Sequence, residues 1–227
     1  MIFYAKDCTS KNTRYTLSEE ESKHCIKVLR NKIGSKIELI NGKGGQYSCR
    51  IIDDHHKKCV LEIISKQEHA AQKESVHIGM AIPKSSDRLE WFAEKATELG
   101  IHRLTLINCY NSEKRKFNEK RLQKIMIAAL KQSKRFYLPI IEGPIKYEDF
   151  IEEHQKGYIG HCYPGEKIHA KTLVQCLPFL VGPEGDFSKE EIDVAINAGY
   201  TEVQLSENRL RTETAALTSV FYLCNLL

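Results

Sequence analysis

Two short stretches of this 227-residue chain hold the side chains best suited to chemistry. Gly182-Pro183-Glu184-Gly185 follows the apolar run Pro178-Phe179-Leu180-Val181. Ser206-Glu207-Asn208-Arg209-Leu210 follows a second strand-like run, Glu202 to Leu205, and leads straight into Arg211-Thr212-Glu213-Thr214. Glycines around a Pro-Glu step break any regular element and let backbone come close to a ligand. Two strand-end loops facing the same way form a crevice of the kind that holds ligands in open α/β sheets. The plainer alternative is that Gly182 and Gly185 only turn the chain.

The elements that must position these loops are short and well punctuated. Phe179 to Val181 reads as a buried strand. Ser188 with Glu191 three residues on forms a capping box for a helix that Gly199 ends. A last helix opens at Arg211-Thr212-Glu213-Thr214. Its apolar residues, from Ala215 to Leu227, surround the helix rather than mark one stripe, which predicts burial on more than one side.

Upstream, Ser18 and Glu21 form another capping box, and Cys25, Val28 and Leu29 follow at helical spacing. Ile37 and Leu39 alternate ahead of the turn residues Asn41-Gly42 and Gly44-Gly45. Gln46 to Ile52 and Lys57 to Ile64 read as two more strands. This predicts a small β domain over 1–68. The polar stretch Lys66 to Ser75 marks the boundary, and an α/β domain runs over 74–227. In it Val76–Ile82 is a strand, Ser86 caps a helix ended by Gly100, and Leu104–Ile107 is a strand. Asn118–Ser133 is a helix leading through Gln132-Ser133-Lys134-Arg135 to a strand at Pro139–Ile141. No period of 20–50 residues recurs, which excludes solenoids.

Charge is unevenly spread although the net is only +4. Residues 110–137 carry nine Lys/Arg against two Asp/Glu, a local +7, and from Pro178 onward three Lys/Arg face eight Asp/Glu, a local −5. The basic segment suits an anionic partner, while a solvated helix face is the plainer reading. No apolar run approaches membrane-spanning length and the first residues lack a signal-peptide core, so a cytoplasmic protein with no membrane contact is expected. Eight cysteines with no CxxC pair read as reduced core thiols, not as zinc ligands or a disulfide framework. His55-His56 reads as a polar turn, and no metal is expected. The absence of GxxxxGK[ST] and GxGxxG excludes the usual nucleotide-binding loops.

GPEGDFS followed by LSENRLRTETA resembles the C-terminal signature of the SPOUT methyltransferases, specifically the 16S rRNA uridine N3-methyltransferase family, whose usual form is GPEGGFS and LGxRILRTETA. His24 with Val28-Leu29-Arg30, Asn41-Gly42-Lys43-Gly44, Asp87-Arg88, Glu94 to Gly100, and Gln132-Ser133 with Arg135 resemble further elements of that family. The resemblance implies an N-terminal PUA-like RNA-binding domain and a knotted SPOUT α/β domain, with a trefoil knot at about 178–215 that clasps S-adenosylmethionine. It implies cofactor contacts from Leu180, Gly182, Glu184, Gly185, Leu205, Ser206, Asn208, Leu210 and Thr214. It implies RNA contacts from His24, Lys27, Arg30, Arg88, Lys114, Lys134 and Arg135, and dimerisation through the knot region. Three departures stand out: Asp186 in place of a glycine, Ser206 in place of a glycine, and Asn111-Ser112-Glu113-Lys114 where the family tends to have an Arg-Ser pair.

The chemistry so implied has definite needs. Moving a methyl group from a sulfonium to a uracil nitrogen requires in-line approach, and ordering two reactants is worth roughly 7–11 kcal/mol of barrier. The ring N–H proton must leave, for which Glu184 or Glu213 are candidates, and Arg211 could stabilise charge growing on the uracil carbonyls. Equally, Glu213 could simply cap the last helix with Arg211 as its salt-bridge partner. The activity expected is S-adenosylmethionine-dependent N3-methylation of a uridine in 16S rRNA. The alternative is a non-catalytic RNA-binding ribosome-assembly factor.

Overall fold

The structure, a computed structural model, describes residues 1–70, 76–113 and 115–226. It divides into two compact units. One comprises Met1–Ala71 together with Leu130–Leu138, the other Gln72–Ala129 and Pro139–Leu227.

The first unit is a five-stranded sheet of β1 (Ile2–Tyr4), β2 (Arg14–Thr16), β3 (Lys36–Ile40), β4 (Gly45–Asp53) and β5 (Val60–Glu68), in the order β1-β3-β4-β5-β2. Only the β1–β3 pairing is parallel. Inward residues alternate along β4, and Leu39, Tyr47, Cys49, Ile51 and Leu61 fill the core. The capping box expected at Ser18 is half formed. Ser18 accepts from the Glu21 amide, but the Glu21 carboxylate is drawn to Lys131 Nζ at 2.8 Å. Helix α1 (Glu19–Lys23) is short, and the chain continues as a π-helical turn over His24–Val28. That turn buries Cys25 and exposes His24, Lys27 and Val28.

The segment after residue 129 joins this unit through backbone bonds from Gly44 to Phe136 and from Leu138 to Gly42, both 2.9 Å, and through stacking of Phe136 on His69. No hydrophobic period signals that attachment, because it rests on main chain, one ring pair and polar contacts such as Lys131 with Glu21 and the Tyr137 hydroxyl with the His69 carbonyl.

The second unit is a seven-stranded, all-parallel sheet. Its strands are β6 (His77–Ala81), β7 (Arg103–Asn108), β8 (Ile140–Lys146), β9 (Gly157–Gly160), β10 (Ile168–His169), β11 (Phe179–Val181) and β12 (Tyr200–Gln204), in the order β10-β12-β9-β11-β6-β7-β8. All five residues of β6 and all three of β11 are buried, as strands covered on both faces must be. The helices are α2 (Ser86–Leu99), α3 (Glu119–Ser133), α4 (Tyr147–Glu153), α5 (Lys189–Asn197) and α6 (Thr212–Cys224).

Helix α2 starts after Ser85, not Ser86, and makes no side-chain cap bond there; Gly100 ends it at φ 109°. The α5 box is complete: Ser188 accepts from Glu191 N, and Glu191 returns a carboxylate to Ser188 N at 2.8 Å. Helix α6 departs from expectation. It buries Thr212, Glu213, Ala216, Ser219, Val220 and Leu223 and leaves Phe221 52% exposed, so it has one inner face and one outer face.

Candidate active site

The ends of β9, β11 and β12 and the start of α6 enclose a cavity of about 850 Å³. That size is typical of pockets for small ligands and cofactors. Both loops singled out in the sequence reach it. Gly182, Pro183, Glu184 and Asp186 line one side, and Leu205 through Arg211 another. Arg88 from α2 and Ala215 from α6 complete the wall.

Several expected residues stand elsewhere. Leu180 lies behind the cavity in the core, Gly185 packs against Asn111, and Thr214 is exposed on α6 outside the lining. Gly182 has a packing role, since a Cβ there would meet the buried Phe187 ring at 3.0 Å. His161, Cys162, Gly165 and Lys167 line the cavity without having been found in the sequence, because β9 is four residues long and its flanks carry no periodic signal.

A charged group sits at one edge. Arg88 Nη1 lies 3.5 Å from Glu184 Oε1 and Arg88 Nε lies 3.6 Å from Glu213 Oε1, while Glu184 Oε1 also accepts from Lys84 N at 3.0 Å. The partner of Glu213 is therefore Arg88 and not Arg211. Glu213 is 7% exposed and its Oε2 has no partner. Arg211 is exposed, lines the cavity, and makes no ion pair among the described residues. Arg209, also exposed on the wall, makes none either, so both are cations open to a ligand.

Two further groups shape the wall. His161, its side chain 2% exposed, sits 2.7 Å from Glu202 through Nε2. The Cys162 thiol is pushed up by burial and then by the Asp186 carboxylate, opposite to the shift that activates a nucleophilic cysteine. The two glycine replacements keep their loops closed. Asp186 takes the left-handed φ of 67°, which short polar side chains tolerate, and Ser206 Oγ accepts from Asn208 N at 3.1 Å.

Of the residues expected to meet RNA, His24, Lys27, Arg30 and Lys134 are exposed and Arg135 is half-buried, all in the first unit. Arg88 is held in the cavity wall, and Lys114 lies outside the described residues. Among the described residues no group of three or more His, Cys, Asp or Glu is placed to hold a metal, and no helix is long and apolar enough to cross a membrane.

Residues 70–223 match the RNA methyltransferase domain family, and residues 17–64 match the RNA methyltransferase PUA domain. The chain belongs to this RNA methyltransferase family. Among its relatives, ribosomal RNA small subunit methyltransferase E of Aquifex aeolicus is 28% identical over 236 residues, spanning 99% of each chain. The enzyme of the same name from Rickettsia conorii is 27% identical over 96% of this chain and 92% of its own. Among solved structures, a probable rRNA-methyltransferase from Porphyromonas gingivalis superposes with a TM-score of 0.88 at 31% identity, covering 99% of this chain and 97% of that one. A protein from Legionella pneumophila described as a methyltransferase, solved with bound S-adenosylmethionine, gives 0.86 at 27% identity over 98% and 96%. The α/β methyltransferase domain and PUA domain of this RNA methyltransferase family are therefore those of the present chain.

Proposed function

We propose that this protein is an S-adenosylmethionine-dependent methyltransferase that methylates N3 of a uridine in 16S rRNA of the small ribosomal subunit. The observation that carries the reading is the 850 Å³ cavity walled by two strand-end loops, in a fold whose Legionella relative binds that cofactor. The lining fits the group chemically. S-adenosylmethionine carries an ammonium, a carboxylate and a sulfonium, and the wall offers Glu184 and Glu207 together with Arg88 and Arg209. The run Leu205–Leu210 supplies backbone donors and acceptors for an adenine edge.

The cofactor supplies an electrophilic methyl group. The chain's own residues orient the reactants and manage charge. Arg211, open to the cavity, stabilises negative charge growing on the uracil carbonyls as the ring N–H is lost. Arg88 holds Glu184 and Glu213 on either side of it and keeps the buried Glu213 compensated, because an unpaired buried carboxylate is costly. Glu184, less buried and nearer solvent, is the better placed of the two to pass on the proton.

In the first unit, His24, Lys27 and Arg30 with Lys134 and Arg135 form the RNA-facing set, giving register through phosphates while the target base is flipped out to react. The protein acts in the cytoplasm, as a homodimer paired through the outer face of α6, with the trefoil knot at about 178–215. The strand order supports the knot, since β11 lies between two strands made before it. Mass-spectrometric nucleoside analysis of 16S rRNA from a deletion strain tests the function. Loss of N3-methyluridine, restored by the gene, is expected; unchanged N3-methyluridine would refute it.

A further inference from the structure

Three loops from different strands meet at one residue on the cavity wall. Cys162 follows β9, Gly185-Asp186 follow β11, and Asn111 follows β7. The Asp186 carboxylate accepts from Cys162 N–H at 2.8 Å through Oδ2 and from Phe187 N–H at 2.9 Å through Oδ1. On its other side, Asn111 Nδ2 donates to the carbonyls of Asp186 at 3.0 Å and Gly185 at 3.3 Å. Asp186 and Cys162 both line the cavity.

We propose that Asp186 is a positioning residue for the cofactor pocket, latching the loop after β9 to the loop after β11 while Asn111 holds the same peptide from behind. The inference rests on the cavity being the S-adenosylmethionine site. Each element of the latch has a physical reason. A carboxylate binds a backbone N–H more strongly than a neutral acceptor does. The φ of 67° turns the residue so that its side chain can reach across to the neighbouring loop, and aspartate is among the few residues that accept it. Asn111 fixes the Gly185–Asp186 peptide by two successive carbonyls, and its Cβ lies 3.1 Å from where a Gly185 Cβ would stand. Loops tied in this way need no ordering when a ligand arrives, and that saved cost appears as affinity.

Calorimetry with S-adenosylmethionine and S-adenosylhomocysteine tests the latch on the full chain. Binding by the wild type comes first; its failure would overturn the assignment of the cavity, and the function with it. Given wild-type binding, Asp186→Gly should weaken both ligands about tenfold and raise KM for the cofactor equally, with kcat at saturating cofactor within about twofold. Glycine accepts the backbone angle, so the thermal midpoint should hardly move. Asp186→Asn keeps one acceptor oxygen of the two, enough for the bond from Cys162 N–H that joins the loops, and should return affinity to within about threefold of wild type, and Asn111→Ala should reproduce the glycine effect in milder form. Wild-type affinity in Asp186→Gly overturns the latch. So does an asparagine variant as weak as the glycine one, because the retained bond to Cys162 N–H would then contribute nothing.

Discussion

At the scale of single residues, the wall of the cavity holds both groups that are already engaged and groups that are not. Arg88 pairs with both Glu184 and Glu213, and His161 is bound to Glu202. Arg211 faces the cavity with no ion pair among the described residues. Its replacement should therefore be felt in the reaction more than in cofactor binding. Arg211→Ala is expected to lower kcat about a hundredfold, the order found when one preorganised charge-stabilising donor is removed. Affinity for S-adenosylmethionine should stay within about threefold. Single-turnover rates at saturating cofactor, beside calorimetry, separate the two; a loss confined to affinity would make Arg211 a cofactor ligand instead. Gly182→Val, the obvious way to block the pocket, would be a poor test, because the added methyls strike the buried Phe187.

At the scale of elements, what could be read from sequence followed how local each determinant is. The α5 box was legible because Ser188 and Glu191 satisfy each other within one turn. At Ser18 half of the same pattern holds: Ser18 accepts from the Glu21 amide, but the Glu21 carboxylate has its partner 110 residues away in Lys131. Helix α4 and strand β9 went unread: seven and four residues are too few to display a period. With β9 went His161 and Cys162, a part of the wall that no glycine or charge pattern marked. Leu180 and Thr214, which the resemblance places at the cofactor, stand outside the cavity lining, Leu180 buried within β11 and Thr214 exposed on α6.

Strand β6 also carries a titrating group whose effect can be stated with its sign. His77 is buried, bonded through Nε2 to Thr105 Oγ1 at 2.8 Å, and has its pKa lowered to about 3, chiefly by burial and then by His154 and Arg103. The folded state thus favours the neutral ring. The stability it contributes is fully present above the unfolded pKa of about 6.5 and is lost as pH falls toward 3, at no more than about 1.4 kcal/mol per pH unit. His77→Gln should flatten the fall of the urea midpoint between pH 6.5 and 4. Equal slopes in the two proteins would assign the acid sensitivity to other groups.

At the scale of the whole molecule, two expectations concern partners. Val220 is wholly buried within the chain, so a charge there would unfold the protein and say nothing about pairing. Phe221, half exposed on the outer face of α6, is the informative position. Light scattering at micromolar concentration should give about twice the 26.1 kDa of the chain, and Phe221→Glu should give the monomer mass with an unchanged thermal midpoint. A monomeric wild type would sink the dimer. RNA affinity should fall linearly on a log–log plot against salt, and reversing Arg30 and Arg135 together should make the slope shallower by about two, one for each phosphate that no longer meets a cation. An unaltered slope would leave those side chains as ordinary solvated surface.

Strand β11 lies between β9 and β6 and hydrogen-bonds to both. Its three residues are made after both of its neighbours. A chain still emerging from the ribosome therefore carries the middle of its sheet as two separate pieces, β6 with one open edge and β9 with two, since β12 has not been made either. Exposed edges of this kind invite pairing with other chains. The vulnerable period of this protein's life falls in the interval before its last fifty or so residues are translated. The segment that ends it is the same one that completes the pocket, so a half-made chain can neither close its sheet nor capture its cofactor.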